Sequence, residues 1–194
     1  MNRRKSLILI AMVVLLLTFT VSGTIAWLAA STDSVENVFT PGKIKTDIDE
    51  EFSTTAKTSI VVKNAAQPDS TVPVFVRVAV NGYYVKDADG KQEIVEPWDG
   101  EITIGTDWFE GSDGFYYYKK AIAPGASTSD LLGADITLTK GDDGKYLVVN
   151  VLHQSIQADG MTTDENDNTV PVVTAEWGVI VNTDQDGNKT ISKS

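Results

Sequence analysis

His153 is the only imidazole in this chain, and there is no cysteine at all. Nucleophilic and metal-assisted chemistry therefore have few side chains to draw on. No His-Glu-x-x-His pair is present to hold zinc, and no Gly-x-Ser-x-Gly turn is present to expose a nucleophilic serine. A single histidine beside Leu152 reads as a packing or surface residue rather than a proton shuttle. Carboxylates are plentiful: Asp49-Glu50-Glu51, Asp142-Asp143 and Asp164-Glu165. Glycoside hydrolysis needs two carboxyl groups fixed across a cleft, whereas adjacent residues on a strand point to opposite faces. Asp87-Ala88-Asp89-Gly90 and Asp184-Gln185-Asp186-Gly187-Asn188 have the look of calcium-loop fragments. Neither is followed by the bidentate glutamate that completes such a loop, and both suit hairpin turns. The expectation is a non-enzyme with no catalytic residue, no metal site and no cofactor.

Trp98, Trp108, Phe109 and the run Phe115-Tyr116-Tyr117-Tyr118 raise a different chemistry, the stacking of sugars on aromatic rings. In a strand, however, Tyr116 and Tyr118 point one way and Phe115 and Tyr117 the other, which is how a core strand distributes its rings. Packing is the preferred reading, with glycan recognition as its rival.

Strands must position these residues. Val72, Val74, Val76, Val78 and Val80 share one face of an extended segment, and Pro73, Phe75, Arg77 and Ala79 share the other. That alternation predicts a strand over 72–80. Ile44, Thr46 and Ile48 alternate with charged residues, and Ile60-Val61-Val62 is a short buried run. Tyr83-Tyr84-Val85 and Glu93-Ile94-Val95 flank one Asp/Gly turn. Ile136-Thr137-Leu138 and Tyr146 to Val149 flank another, Gly141-Asp142-Asp143-Gly144. Both read as hairpins. Ile102-Thr103-Ile104 and Ala175 to Val181 read as further strands. Ser129 to Leu132 reads as a short helix, and residues 159–171 as a polar loop. Many short strands between Gly/Asp turns argue an all-β fold: an antiparallel two-sheet sandwich, jelly-roll-like, over residues 41–194.

The amino end places the protein. Arg3-Arg4-Lys5 precedes the unbroken apolar run Leu7 to Leu17, and small residues follow at Ser22, Gly23, Thr24 and Ala26. This is the pattern of a cleaved signal helix over residues 1–26, with Thr24 and Ala26 in the peptidase pockets and Trp27 as the new amino end. A cut after Ala30 is the second choice. A retained anchor is the alternative, because Ser6 to Thr32 carries no charge. The apolar part nevertheless stops at Leu17. Export implies a secreted protein, in the extracellular matrix or at the cell surface, that meets a signal peptidase in transit and the membrane only as precursor. The C-terminal residues show neither an LPxTG-like motif nor an apolar tail.

Charge narrows the partners. The chain carries 16 basic and 27 acidic residues, a net charge of −11. Losing Arg3, Arg4 and Lys5 leaves 13 basic against 27 acidic residues, a net charge of −14. Such a surface repels nucleic acid and anionic lipid.

Gly23-Thr24-Ile25-Ala26-Trp27, Asn37-Val38-Phe39-Thr40-Pro41-Gly42-Lys43-Ile44, Asp113 to Lys120 with Pro124-Gly125 and Leu131, and Ile156-Gln157-Ala158-Asp159-Gly160 recur along the chain as short motifs. In these the sequence resembles exported biofilm-matrix proteins of the TasA/camelysin type, whose signal peptides are removed by a dedicated peptidase. Relatives often place an acid soon after the aromatic residue; here the first acid after Trp27 is Asp33. The resemblance implies a jelly-roll sandwich and a structural role in fibres, built when an N-terminal strand freed by cleavage complements the next subunit. The surface-protease activity associated with camelysin-type proteins finds no catalytic constellation here. On this reading residues 27–40 are the donor strand, with Trp27, Val35 and Phe39 on one side and Val38 with Leu28 on the other. Thr40-Pro41-Gly42-Lys43 fits a type II turn closing it off. The partner is then another copy of the chain. The alternative is a monomeric extracellular module that binds glycans or a protein.

N-terminal sequencing of the exported protein is expected to begin at Trp27. A start at Met1 would contradict the cleavage reading.

Overall fold

The computed structural model describes residues 42–88, 91–138 and 144–194. The expected signal helix, the cleavage residues Thr24, Ala26 and Trp27, and the strand residues Val35, Val38 and Phe39 lie outside the described residues.

The valine alternation forms a longer strand than its pattern suggested. It begins at Val74 rather than Val72 and runs through the first half of the expected hairpin to Ala88. Numbered along the chain, the strands are β1 (Thr46–Phe52), β2 (Ala56–Asn64), β3 (Val74–Ala88), β4 (Lys91–Pro97), β5 (Trp108–Glu110), β6 (Tyr116–Tyr118), β7 (Ile136–Thr137), β8 (Lys145–Gln157), β9 (Met161–Thr163), β10 (Thr169–Pro171), β11 (Ile180–Thr183) and β12 (Lys189–Ser192), with one short helix, α1 (Val172–Trp177), before β11. The fold is all-β and sandwich-like, and all its strand pairs are antiparallel.

One sheet has the order β1-β2-β7. The largest of the four sheets is organised on β3, and β9–β10 and β11–β12 each form a two-stranded sheet of their own. Along one edge β3 pairs with β8 from Val74↔Gln157 to Lys86↔Lys145. Along the other it takes β6 at Arg77 and Val78 and β4 from Tyr83 to Ala88. β5 pairs with the far side of β6.

Period-two alternation sends the side chains of β3 into two different cores. Val74, Val76 and Val78 meet Ile60 and Val62 of β2, Ile136 of β7, and Trp108, Tyr118, Leu131 and Leu147 in the space between the sheets. Phe75 points the other way and packs with Tyr117, Ala158, Val173, Val179 and Ile191, under a cover made by α1 and the β11–β12 hairpin. One end of the β3 sheet is thus covered on both faces, which is why Val74 to Val76 and Val78 are fully buried.

Several expectations need correction. Residues 136–138 and 146–149 do not pair as a hairpin: β7 joins β2, and β8 joins β3. The chain passes from one sheet to the other between them, because a 15-residue β3 offers β8 a far longer ladder than the two-residue β7 can. Ala175 to Val181 is not one strand. Its first part is the end of α1, and Gly178 takes the left-handed conformation (φ 67°) that closes the helix, its N–H bonded to the Thr174 carbonyl. Ile102 to Ile104 makes a single bridge, Ile104 to Leu132. Ser129 to Leu132 is not helical but runs beside β2, with the Leu131 N–H donating to the Ile60 carbonyl. Residues 159–171 are not merely a loop: β9 and β10 form a small hairpin there. The type II turn expected at 40–43 includes Thr40 and Pro41, which lie outside the described residues. Gly42 permits close approach: a Cβ there would lie 2.5 Å from Val72 Cγ1.

Ile60→Ala, at the centre of the inter-sheet core, is expected to cost about 2–5 kcal/mol in denaturant unfolding. Phe52→Ala, at a side chain 74% exposed, is expected to change stability by no more than about 0.5 kcal/mol.

Candidate functional site

Asp49, Glu50, Asp164 and Asp184, among the carboxylates that suggested metal or acid–base chemistry, are occupied in holding turns and pairs, while Asp89 and Asp142-Asp143 lie outside the described residues. The Asp184 carboxylate accepts from the backbone N–H groups of Asp186 and Asn188 and from the Asn188 amide. Asp164 does the same for Asn166 and Asn168. These hydrogen bonds hold both carboxyls below their ordinary values, the Asn188 and Asn168 groups contributing most. On β1, Asp49 pairs with Lys63, and Glu50 pairs with the buried Lys57 at 2.8 Å. His153 is structural: its Nε2 lies 2.9 Å from Thr46 Oγ1 and 3.2 Å from the Thr46 carbonyl, tying β8 to the start of β1. No cluster of three or more acidic, histidine or cysteine side chains suited to a metal occurs among the described residues. No helix among them is long and apolar enough to cross a membrane.

The aromatic run divides as alternation requires. Trp108, Tyr116 and Tyr118 belong to the core between the sheets, and Trp98 packs against it. Phe109, Phe115 and Tyr117 belong to the second core. Neither tryptophan offered to glycans is an open platform: Trp108 is 3% exposed, and the Trp98 ring lies against Gly82 and Gly100.

Sequence reasoning missed the role of Arg77. Its guanidinium lies 4.2 Å from the Phe115 ring centre and 4.8 Å from that of Trp177. It donates to Asp113 Oδ2 and to the Tyr117 hydroxyl, both at 3.0 Å, and to the Gln154 amide oxygen. Tyr117 in turn donates to Asp113 at 2.7 Å. The cation ties β3, β6, β8 and α1 together. A signal was available in the sequence: an arginine on the face of β3 opposite the valines has to find a partner there.

The backbone supplies the remaining site. β1, seven residues long, carries Asp47, Asp49, Glu50 and Glu51. β4, also seven residues, carries Lys91, Glu93 and Glu96 and ends at Pro97. Charges and proline are what natural sheets use to blunt an edge. β8 has thirteen residues and only one formal charge, Lys145 at its start. Among the described residues no strand pairs with its outer edge. Its outward N–H and C=O groups thus have no strand partner among the described residues, and Leu152 is 62% exposed on the adjoining face. Nearby, the chain entering β1 is fastened. Lys43 exchanges backbone and hydroxyl hydrogen bonds with Ser70 and Thr71, and the Ala65 N–H donates to the Lys45 carbonyl.

No family model, curated protein or solved structure matches the chain.

Burial works against the Asp113 charge, but hydrogen bonds from Tyr117 and from the Phe115 N–H, with the Arg77 charge, hold its carboxyl below the ordinary value. A depressed folded-state pKa adds stability above the unfolded value, about 3.9, and that stability is lost as pH falls through the folded one. Asp113→Asn is expected to be less stable than the parent at pH 7, with the gap closing below about pH 4. An unchanged gap in acid unfolding curves would contradict the coupling.

Proposed function

We propose that this is a secreted structural protein of the cell surface or biofilm matrix that assembles into fibres by strand complementation. Signal cleavage after Ala26 frees residues 27–40, and this arm pairs with the outer edge of β8 on a neighbouring copy. The two facing sheets serve as a jelly-roll-like body, and the arm is its connector. No enzymatic step and no cofactor enters this reading.

The observation that carries it is the contrast among the edges: β1 and β4 are defended by charge, and β8 is long and nearly uncharged. Lengths also agree. At roughly 3.3 Å per residue, a fourteen-residue arm spans about 46 Å and the thirteen-residue edge about 43 Å. An extended segment added to an open edge gains main-chain hydrogen bonds for affinity and side-chain contacts for register.

Magnitudes show what the ladder must do. Burying Trp27, Val35 and Phe39 contributes about 6 kcal/mol at about 2 kcal/mol each. Association and ordering cost on the order of 4–15 kcal/mol. Apolar burial alone does not carry assembly, so the backbone ladder is essential. A mature net charge of −14 opposes it at long range, and salt at physiological strength confines that repulsion to about 8 Å.

Leu152→Lys places a charge beside the open edge at an exposed position. The processed variant is expected to melt within a few degrees of the parent and to show no filaments by electron microscopy. Deletion of residues 27–40 should have the same effect. Filaments of normal length from both proteins would refute the proposal.

A further inference from the structure

The second face of the β3 sheet is covered at one end only. Beyond Arg77 the covering helix and hairpin stop, and the face continues with exposed Asn81, half-buried Tyr83, buried Val85 and exposed Asp87 of β3, on which no other strand or helix packs among the described residues. Asn150, Val148 and Tyr146 of β8 stand opposite the first three. Gln92 of β4 stands opposite Asp87. Two tyrosines are fixed on this face. The Tyr146 hydroxyl receives the Gln92 amide N–H at 2.6 Å and lies 3.3 Å from Asp87 Oδ1. Its ring therefore reaches from β8 across β3 to the β3–β4 pair, above Val85, which is only 2% exposed. The Tyr83 hydroxyl accepts from the Asn150 amide at 3.2 Å. Partial desolvation and then the Asp87 carboxylate push the Tyr146 phenol up, so it stays a neutral donor. The side chains of Asn81 and Asn150 are exposed, and neither the Asn81 amide nor the Asn150 amide oxygen has a partner among the described residues.

We propose that this platform, Tyr83 and Tyr146 with the amides of Asn81, Gln92 and Asn150, binds an extended, uncharged β-linked polysaccharide.

Three properties select that ligand. The phenol rings are held in place by hydrogen bonds before any ligand arrives, so little ordering is lost on stacking a sugar's C–H face upon them. The amides around them both donate and accept, as hydroxyl groups do. An apolar protein surface laid on the same face would strand those amides at about 1–3 kcal/mol apiece. Charge supplies the third: a chain of net charge −11 repels anionic polymers, but not an uncharged glycan. The residues of the face follow the strands from Asn81 to Asp87, which suits an extended chain gripped along its length.

Isothermal titration of the full-length protein with cellohexaose and with chitohexaose tests the assignment, with polygalacturonate as the anionic comparison. Saturable binding of at least one neutral hexasaccharide is expected. Tyr83→Ala/Tyr146→Ala should weaken it by about tenfold or more, and Tyr83→Phe/Tyr146→Phe by no more than about threefold. Asn81→Ala/Asn150→Ala changes only exposed side chains and serves if the alanine pair at the tyrosines unfolds; it should weaken binding by about tenfold. No binding of either hexasaccharide, or affinity unchanged in a variant whose melting curve shows it folded, overturns the proposal. So does preferential binding of polygalacturonate. A change in sedimentation on tyrosine substitution, without sugar binding, would assign the face to a second copy instead and also overturns it.

Discussion

The antiparallel ladder between β3 and β8 is the constraint on which the rest depends. Thirteen consecutive residue pairs, without a register slip, join these two strands. Because the period is two, that register fixes which side chains enter each core. A slip of one residue would turn Val76 and Val78 away from β2 and bring Arg77 into the inter-sheet core. The same ladder leaves β8 with a single partner among the described residues, so its length creates an edge as well as a centre.

Charge placement separates the surfaces. Acidic residues concentrate on β1 and in the turns, where they pair with lysines or cap backbone N–H groups. β8 is left without acids. A protein with this net charge stays dispersed until a specific contact outweighs repulsion, and the contact most available is the backbone of β8. The tyrosine face lies next to that edge but does not include it. One strand therefore offers two surfaces with different chemistry, a main-chain edge and a phenol-and-amide face.

Much of this was legible in the residues. Val74 to Val80, the two-sided tyrosine run and the Asp184 turn obey local rules, so alternation and turn chemistry read them correctly. The partner of β8 was not legible, because turn residues at 141–144 suggest the nearest strand whereas the ladder is made with one some seventy residues away. Residues 175–181 misled for another reason. Trp177 and Val179 both serve the second core, and their spacing imitates a strand although a helix end lies between them. The need of Gly42 for space beside Val72 was not legible, because that contact is made by a residue thirty positions away. In the candidate site, the uncharged run from Tyr146 to Gln157 was visible, but its meaning as an edge needed the sheet order. Trp98 and Trp108 drew attention as sugar platforms because they are large; Tyr83 and Tyr146, half-buried on the second face, are held there by Asn150, Gln92 and Asp87.

Amide hydrogen exchange along β8, before and after assembly of the processed protein, tests the central claim most directly. In the monomer, N–H groups facing β3 should exchange slowly and those on the outer edge quickly, alternating along the strand. In filaments the fast set should become protected while the slow set is unchanged. If the outer N–H groups of β8 exchange as fast in filaments as in monomers, the strand is not the acceptor and the account fails.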